Sequence, residues 1–400
     1  MSDWRNDLSK RIIIDSGSCN LRFGNCEQDE PLSIIPNLLA VDKKQGNLIY
    51  GENLQNTLQE SHLNYIKPHT RGVLVDWDNE VQLMENLIQQ NCDSKELAQS
   101  CLIQTFQPGL PEKVRLRMFE VAFEYFQFDS FFPANSQSMI YEWFNSKEEN
   151  QNQSQTLKTF QLVVESSHSA TYITPYFDGE PINYATTRLD VGGKLLTNHF
   201  KDLISLRHFD FKNEIRLTQQ IKEEVCFVAQ QFTQEMKKKK GSHRKFFVLP
   251  DYDTGKKGYS KDSHDQNTYE QVIQLDKERF QIPEIIFNPS DIGLYQNGLT
   301  QSILDTIQKI NPDIRDYFLE NIILSGGNTQ MPGFSERLQA EIRANTPDHL
   351  NIKVNHINDE QPVFSGCIEF CSDDDFKPSV ISKQDYRENG FHYLHKFYFI

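Results

Sequence analysis

The sequence predicts an α/β protein built as two facing hairpins around a ligand, and three stretches carry the prediction. In RIIIDSGSCNLRFGNC, residues 11 to 26, an apolar strand runs into Asp15-Ser16-Gly17-Ser18 and returns as a second strand. LVVESSHSATYITPY, 162 to 176, repeats that grammar. NIILSGGNTQMPGF, 321 to 334, is an apolar strand ending in a double glycine, with Pro332 and Gly333 placed to open the helix FSERLQAEIRAN.

Each stretch has a chemical reading. Ile12, Ile13 and Ile14 read as a buried strand, and the small residues after Asp15 let backbone N–H groups converge on an anion. Arg22 on the return strand supplies positive charge, and the two hairpins together suggest a nucleotide clamp. Without side chains at Gly326 and Gly327, a flat ring or a phosphate can lie directly on the backbone.

The 400 residues, 38% hydrophobic and 24% charged, suffice for two ordinary domains and are too well mixed for a disordered chain. A net charge of -15 argues against a surface that embraces nucleic acid as a whole. No window approaches eighteen uninterrupted apolar residues, and the N-terminal MSDWRNDLSK is polar rather than a signal peptide, so a cytosolic or nuclear location and no membrane are expected. The seven cysteines lack paired spacing and read as reduced, core-filling thiols; Cys367 and Cys371 share a helical face as structural residues.

In chain order, SIIPNLLAV is a strand carrying a proline, followed by a polar segment to about Lys67 with turns at Gly46 and Gly51. GVLVDWDNEVQLMENLIQQ gives a short strand and then a helix burying Val81, Met84, Leu87 and Ile88. CLIQTF is a buried strand, and Phe119, Phe123, Tyr125 and Phe126 in the next helical stretch read as core. NSKEENQNQSQT, 145 to 156, is expected to be a solvated loop between two halves. GGKLLTNHFKDLISL and LTQQIKEEVCFVAQQF read as amphipathic helices, the second with a stripe of Leu217, Ile221, Val225, Val228 and Phe232; His199 falls on a packed face. The basic run 236 to 245 is a solvated helix end or a contact for acidic partners, and 251 to 270 a surface insertion.

Taken in order, these parts together with RLDVGGKLLTNHF, ERFQIPEIIFNPSDIG and DYRENG resemble the actin superfamily over nearly the whole chain from Arg11. Within it, VGGKLLTNHFKDLISLR, VLPDYDTGKKGY and IIFNPSDIG are similar to the nuclear actin-related protein 6 class.

The resemblance implies an actin-like fold, two ribonuclease H-like halves around a nucleotide cleft. Residues 1–156, with a small subdomain at about 31–70, plus a C-terminal segment from about 346 to 400 form the first half, and 157–345 the second. ATP with magnesium would sit in the cleft, unless the cleft is vestigial. Ser16, Gly17, Ser18, Cys19, Asn20 and Arg22 match the first phosphate loop, and Ser167, His168 and Ser169 the second. Gly193, Lys222 and Glu223 match positions beside the sugar and adenosine, and Gly326, Gly327, Asn328, Gln330 and Met331 the adenosine loop. Asp15 and Glu165 would approach magnesium through water.

The departures matter as much as the matches. Where actin's second loop reads Asp-Ser-Gly-Asp-Gly, this chain has Glu165-Ser166-Ser167-His168-Ser169, and the glutamine that positions attacking water aligns with Asn135, or with Gln137 if the alignment slips. Efficient hydrolysis is not expected, though weak turnover is compatible with these residues, and no catalytic residue is assigned. The class then implies a structural nuclear subunit that forms no filament: part of a histone-exchanging chromatin remodeller, bound to its ATPase subunit and a small zinc-finger subunit and touching the nucleosome indirectly. The competing expectation is an ATP-hydrolysing, polymerising cytoskeletal protein.

Overall fold

Ile12, Ile13 and Ile14 are fully covered in the strand Arg11–Ser16, the centre of a six-stranded sheet. The computed structural model describes residues 3–57, 59–93, 95–147, 155–208, 210–263, 270–373 and 376–394. Arg11–Ser16 pairs antiparallel with Asn20–Asn25, which pairs antiparallel with Ser33–Pro36. On its other side it runs parallel to Cys101–Phe106, itself parallel to Ser130–Asn135, and Ile381–Ser382 closes that edge.

The second sheet repeats the order. Phe160–Ser166 pairs antiparallel with Thr171–Phe177, which carries the short strands Glu180–Pro181 and Thr187–Leu189. It runs parallel to Ile322–Ser325, which runs parallel to Val354–His356. Each sheet is therefore a hairpin continued by two parallel strands, and parallel neighbours require the long helical crossovers seen between them. Val354–His356 belongs to the second sheet, so the C-terminal return toward the first begins after His356 rather than near residue 346.

The helix that follows each sheet packs across to the other. Ser136–Ser146 leaves the first sheet, and its Ile140 and Phe144 cluster with Val163 and Ile323 of the second. Pro362–Ser372 leaves the second sheet, and its Phe364, Cys367 and Cys371 cluster with Ile13 and Ile103 of the first. The two helices touch backbone to backbone: a Cβ built on Gly366 would lie 1.9 Å from the Met139 carbonyl oxygen. Cys367 and Cys371 are buried free thiols, as are Cys26, Cys101 and Cys226.

Several expectations shift in register. SIIPNLLAV forms two strands, Ser33–Pro36 in the large sheet and Leu39–Asp42 in a three-stranded sheet with Leu48–Ile49 and Leu63–Ile66, because buried Asn37 interrupts the run. Trp77–Asn91 is N-capped by Asp76 and buries Met84, Leu87 and Ile88, with Val81 at the margin. Phe119, Phe123 and Phe126 are core, whereas Tyr125 is 55% exposed. The helix Ser136–Ser146 extends into the stretch read as a loop, and Gln155–Thr159 is helical; 148–154 lie outside the described residues.

The helix expected over 217–232 ends early. Ile215–Val225 stops at an extended Cys226, and Phe232 opens a separate helix, Phe232–Lys237, with Lys238, Lys239 and Lys240 exposed beyond it. Phe227 N donates to Arg279 O and Val228 N to Pro332 O, so tertiary partners replace the helical bonds. The stretch read as an insertion contributes Tyr259–Lys261 to a three-stranded antiparallel sheet with Lys245–Val248 and Val272–Leu275; 264–269 lie outside the described residues. Among the described residues no helix is long and apolar enough to cross a membrane.

Candidate functional site

The two hairpin tips and the Gly326–Met331 turn converge on one cleft of about 490 Å³ between the sheets. All the residues singled out for the phosphate loops, the sugar and adenosine positions and the metal line it: Asp15, Ser16, Gly17, Ser18, Cys19, Asn20, Arg22, Glu165, Ser167, His168, Ser169, Gly193, Lys222, Glu223, Gly326, Gly327, Asn328, Gln330 and Met331. They come together because each lies at or just past the end of a strand or at the start or end of a crossover helix on the same side of the sheets.

The first tip is fastened from behind. Ser16 N donates to Thr105 Oγ1 at 2.9 Å, Asn37 Nδ2 donates to Gly17 O at 3.0 Å, and Ser16 Oγ donates to Glu80 Oε1. The second tip hangs on the Gly326–Met331 turn: Asn328 Nδ2 donates to Ser167 O at 2.8 Å, while Gly193 N and Lys194 N donate to Ser167 O and His168 O. Gly326 is required there, because at φ 104° a Cβ would lie 2.3 Å from Ser166 O. The tips meet directly, Ser18 Oγ 2.6 Å from Ser169 Oγ.

Charge in the cleft is unevenly satisfied. Asp15 and Arg22 face each other across the hairpin register and form an ion pair at 2.7 Å, and Thr105 Oγ1 donates to the other carboxylate oxygen at 2.6 Å. Glu165 accepts from Ser136 Oγ at 3.1 Å and Ser167 Oγ at 2.5 Å. Burial raises the Glu165 pKa, the two serines and Gln107 oppose that rise, and Asp15 adds to it. Lys222 is the opposite case: only 3% exposed, its Nζ makes one long contact, 3.4 Å to Gly193 O. Burial lowers its pKa and Glu223 partly restores it. A buried ammonium with donors to spare suits an anionic or hydroxyl-bearing ligand.

These contacts answer whether the residues fit ATP and magnesium. The nucleotide fits: the open face at Gly327, the glycine turn and the under-used Lys222 can take a ring, a sugar and phosphates. Magnesium fits less well, because Arg22 already neutralises Asp15 and Glu165 is tied to two hydroxyls. Neither candidate for the water-positioning glutamine lines the cleft. Asn135 Oδ1 caps the helix by accepting from Gln137 N at 3.0 Å, and Gln137 is fully buried with neither amide atom partnered among the described residues. The residue between them, Ser136, is the one that reaches the site, through Glu165.

Sequence reading missed Gln107, Gln219 and the Asp359–Val363 segment, all on the cleft wall. Gln219 was visible one helical turn before Lys222 and Glu223, and its Nε2 approaches Cys19 Sγ at 3.5 Å. Gln107 and Asp359–Val363 carried no local signal.

With that geometry in place, comparison with known proteins decides the family. A family profile described as Actin matches residues 6–399. The chain belongs to the actin family. It is 30% identical to actin-related protein 6 of Dictyostelium discoideum over 98% of this chain and 95% of that protein. Proteins of the same name from Drosophila melanogaster, at 29% identity, and Arabidopsis thaliana, at 28%, match 95% and 96% of it. The actin-family fold thus carries the α/β halves described above.

One buried group behind this actin-family cleft gives a pH signature. Glu80 is wholly buried against Ser16, Asn37 and His69, and burial pushes its pKa from 4.5 up to about 7. A raised folded-state pKa means that its stabilising contribution is whole below about pH 4.5 and is lost as pH rises through 7. Glu80→Gln should therefore gain on the order of 3 kcal/mol over the parent at pH 8 and little at pH 4.5. Unfolding midpoints of both proteins across this range check it; parallel curves would refute it. His69 and His168, lowered to about 4 and about 3 by burial, act in the opposite sense; His168 cancels in the difference, whereas His69, 3.8 Å from Glu80, can shift with the substitution and affects the acid end of the comparison.

Proposed function

We propose that this chain is a non-filament-forming structural subunit of a nuclear, histone-variant-exchanging chromatin remodelling complex, and that it holds ATP without efficient turnover. The observation that carries the reading is the division of charge in the cleft. Lys222 and the glycine turn remain available to a nucleotide, while the carboxylates that would organise a metal and water are engaged by Arg22, Thr105, Ser136 and Ser167. The relatives named actin-related protein 6 support the assignment to that class. Its partners would be the remodeller ATPase subunit and a small zinc-finger subunit, with nucleosome contact made through them.

In this reading ATP supplies binding energy to the fold rather than chemistry. Lys222 would meet its anionic or sugar oxygens, and the hairpin backbone would hold the phosphates. The protein purified from its own cells should release ATP on denaturation. Lys222→Met should weaken ATP binding by about tenfold to a hundredfold, whereas chelating divalent ions should change it less than tenfold. Recovered ADP, or phosphate release that rises with protein concentration alongside sedimenting polymer, would overturn the reading. A tagged copy that captures no remodeller ATPase from nuclear extract would overturn the assembly assignment.

A further inference from the structure

Ser18, Cys19, His168 and Ser169 form a wall shared by the cleft and a second, smaller cavity of about 40 Å³. Lys67 enters the smaller one between the strands Leu63–Ile66 and His69–Thr70. Lys194 and Thr197 enter from the first turns of the helix Gly193–Ser205.

The lining is unbalanced. No aspartate or glutamate contributes to it, and among the described residues neither Lys67 nor Lys194 has an ion-pair partner. Arg216 also borders the space, but its donors are spent on Leu54, Gln55 and Thr57 carbonyls and its charge on Glu60. Thr197 is 2% exposed and its Oγ1 has no hydrogen-bond partner among the described residues, which leaves a buried hydroxyl facing a cationic cavity. His69 and His168 add no charge, since burial and the nearby lysines lower both pKa values. Burial and Lys194 likewise lower the Lys67 pKa. Two half-buried like charges beside a fully buried, orphaned hydroxyl are costly unless a counter-ion completes them. One water needs roughly 10–15 Å³ of such space, so this cavity exceeds a single water and can admit a small tetrahedral ion.

We propose that this cavity is a binding site for a small tetrahedral oxyanion, inorganic phosphate or sulfate, held by Lys67, Lys194 and Thr197. Lys67 comes from the first half and the other two from the second, so the bound ion bridges the halves beside the Ser18–Ser169 contact. The site is separate from the proposed ATP site and does not depend on it.

The test is calorimetric titration of the full-length protein with inorganic phosphate, alone and saturated with ATP. One equivalent should bind in both conditions. Thr197→Val should weaken it by about tenfold, and the double change Lys67→Gln, Lys194→Gln should abolish it, with unfolding midpoints in phosphate-free buffer confirming folded protein. If the lysine variants fail to fold, Thr197→Val decides alone. No heat with the parent, an affinity unmoved by Thr197→Val, or competition by ATP would each overturn the proposal. Phosphate uptake by a protein that takes no nucleotide would refute the ATP reading and leave this one standing.

Discussion

Gly366→Ala is expected to destabilise the protein by at least about 4 kcal/mol. The added carbon would sit 1.9 Å from Met139 O and 2.5 Å from Met139 C, both backbone atoms of the facing helix. No rotamer change relieves such an overlap. The helices must separate, and with them the contacts that carry Ile140 and Phe144 to the second sheet and Phe364 and Cys367 to the first. Chemical unfolding of parent and variant measures the loss. A variant within about 1 kcal/mol of the parent would show that the two helices do not meet this closely.

Arg337→Met should cost about 3–5 kcal/mol, because it strands a carboxylate that has no access to water. Arg337 lies in the helix Phe334–Ala344 directly after the Gly326–Met331 turn, and its guanidinium donates to Glu284 Oε1 at 3.1 Å, to Glu341 Oε1 at 2.5 Å and to Ala229 O. Glu284 is buried, and burial raises its pKa even with Arg337 beside it. Without the guanidinium the carboxyl must take up a proton in the folded state, so the loss should grow as pH rises above the ordinary carboxylate range. Adding Glu284→Gln to Arg337→Met should recover more than half of it, and a double-mutant cycle reads that recovery directly. Simple additivity would mean that the pair is not coupled.

The parts of the molecule legible in sequence are those whose cause is local. Ile12–Ile14, the Ser-Gly tips and the Gly326-Gly327 turn announce themselves through residue type alone, and each lies on the cleft or directly behind it. The apolar spacing of 217 to 232 misled because the chain leaves the helix after Val225, with Val228 buried and Phe227 half-buried in non-helical backbone held by Arg279 and Pro332, partners far away in the chain. Asp359–Val363 joins the cleft wall for the same non-local reason. The pairing of Asp15 with Arg22 was legible in principle, since the hairpin register sets them opposite each other. Reading each as a ligand for something absent hid the simpler partner across the strand.

That pair has a consequence for the life of the protein in the cell. An acidic cleft that relies on a bound cation for its charge balance fails when the cation and its nucleotide are scarce. Here the counter-ion of Asp15 is covalently part of the chain, two strand positions from the turn, and it is made with every copy. The charge balance of this hairpin is therefore fixed when the chain is made, whether or not the cleft is occupied.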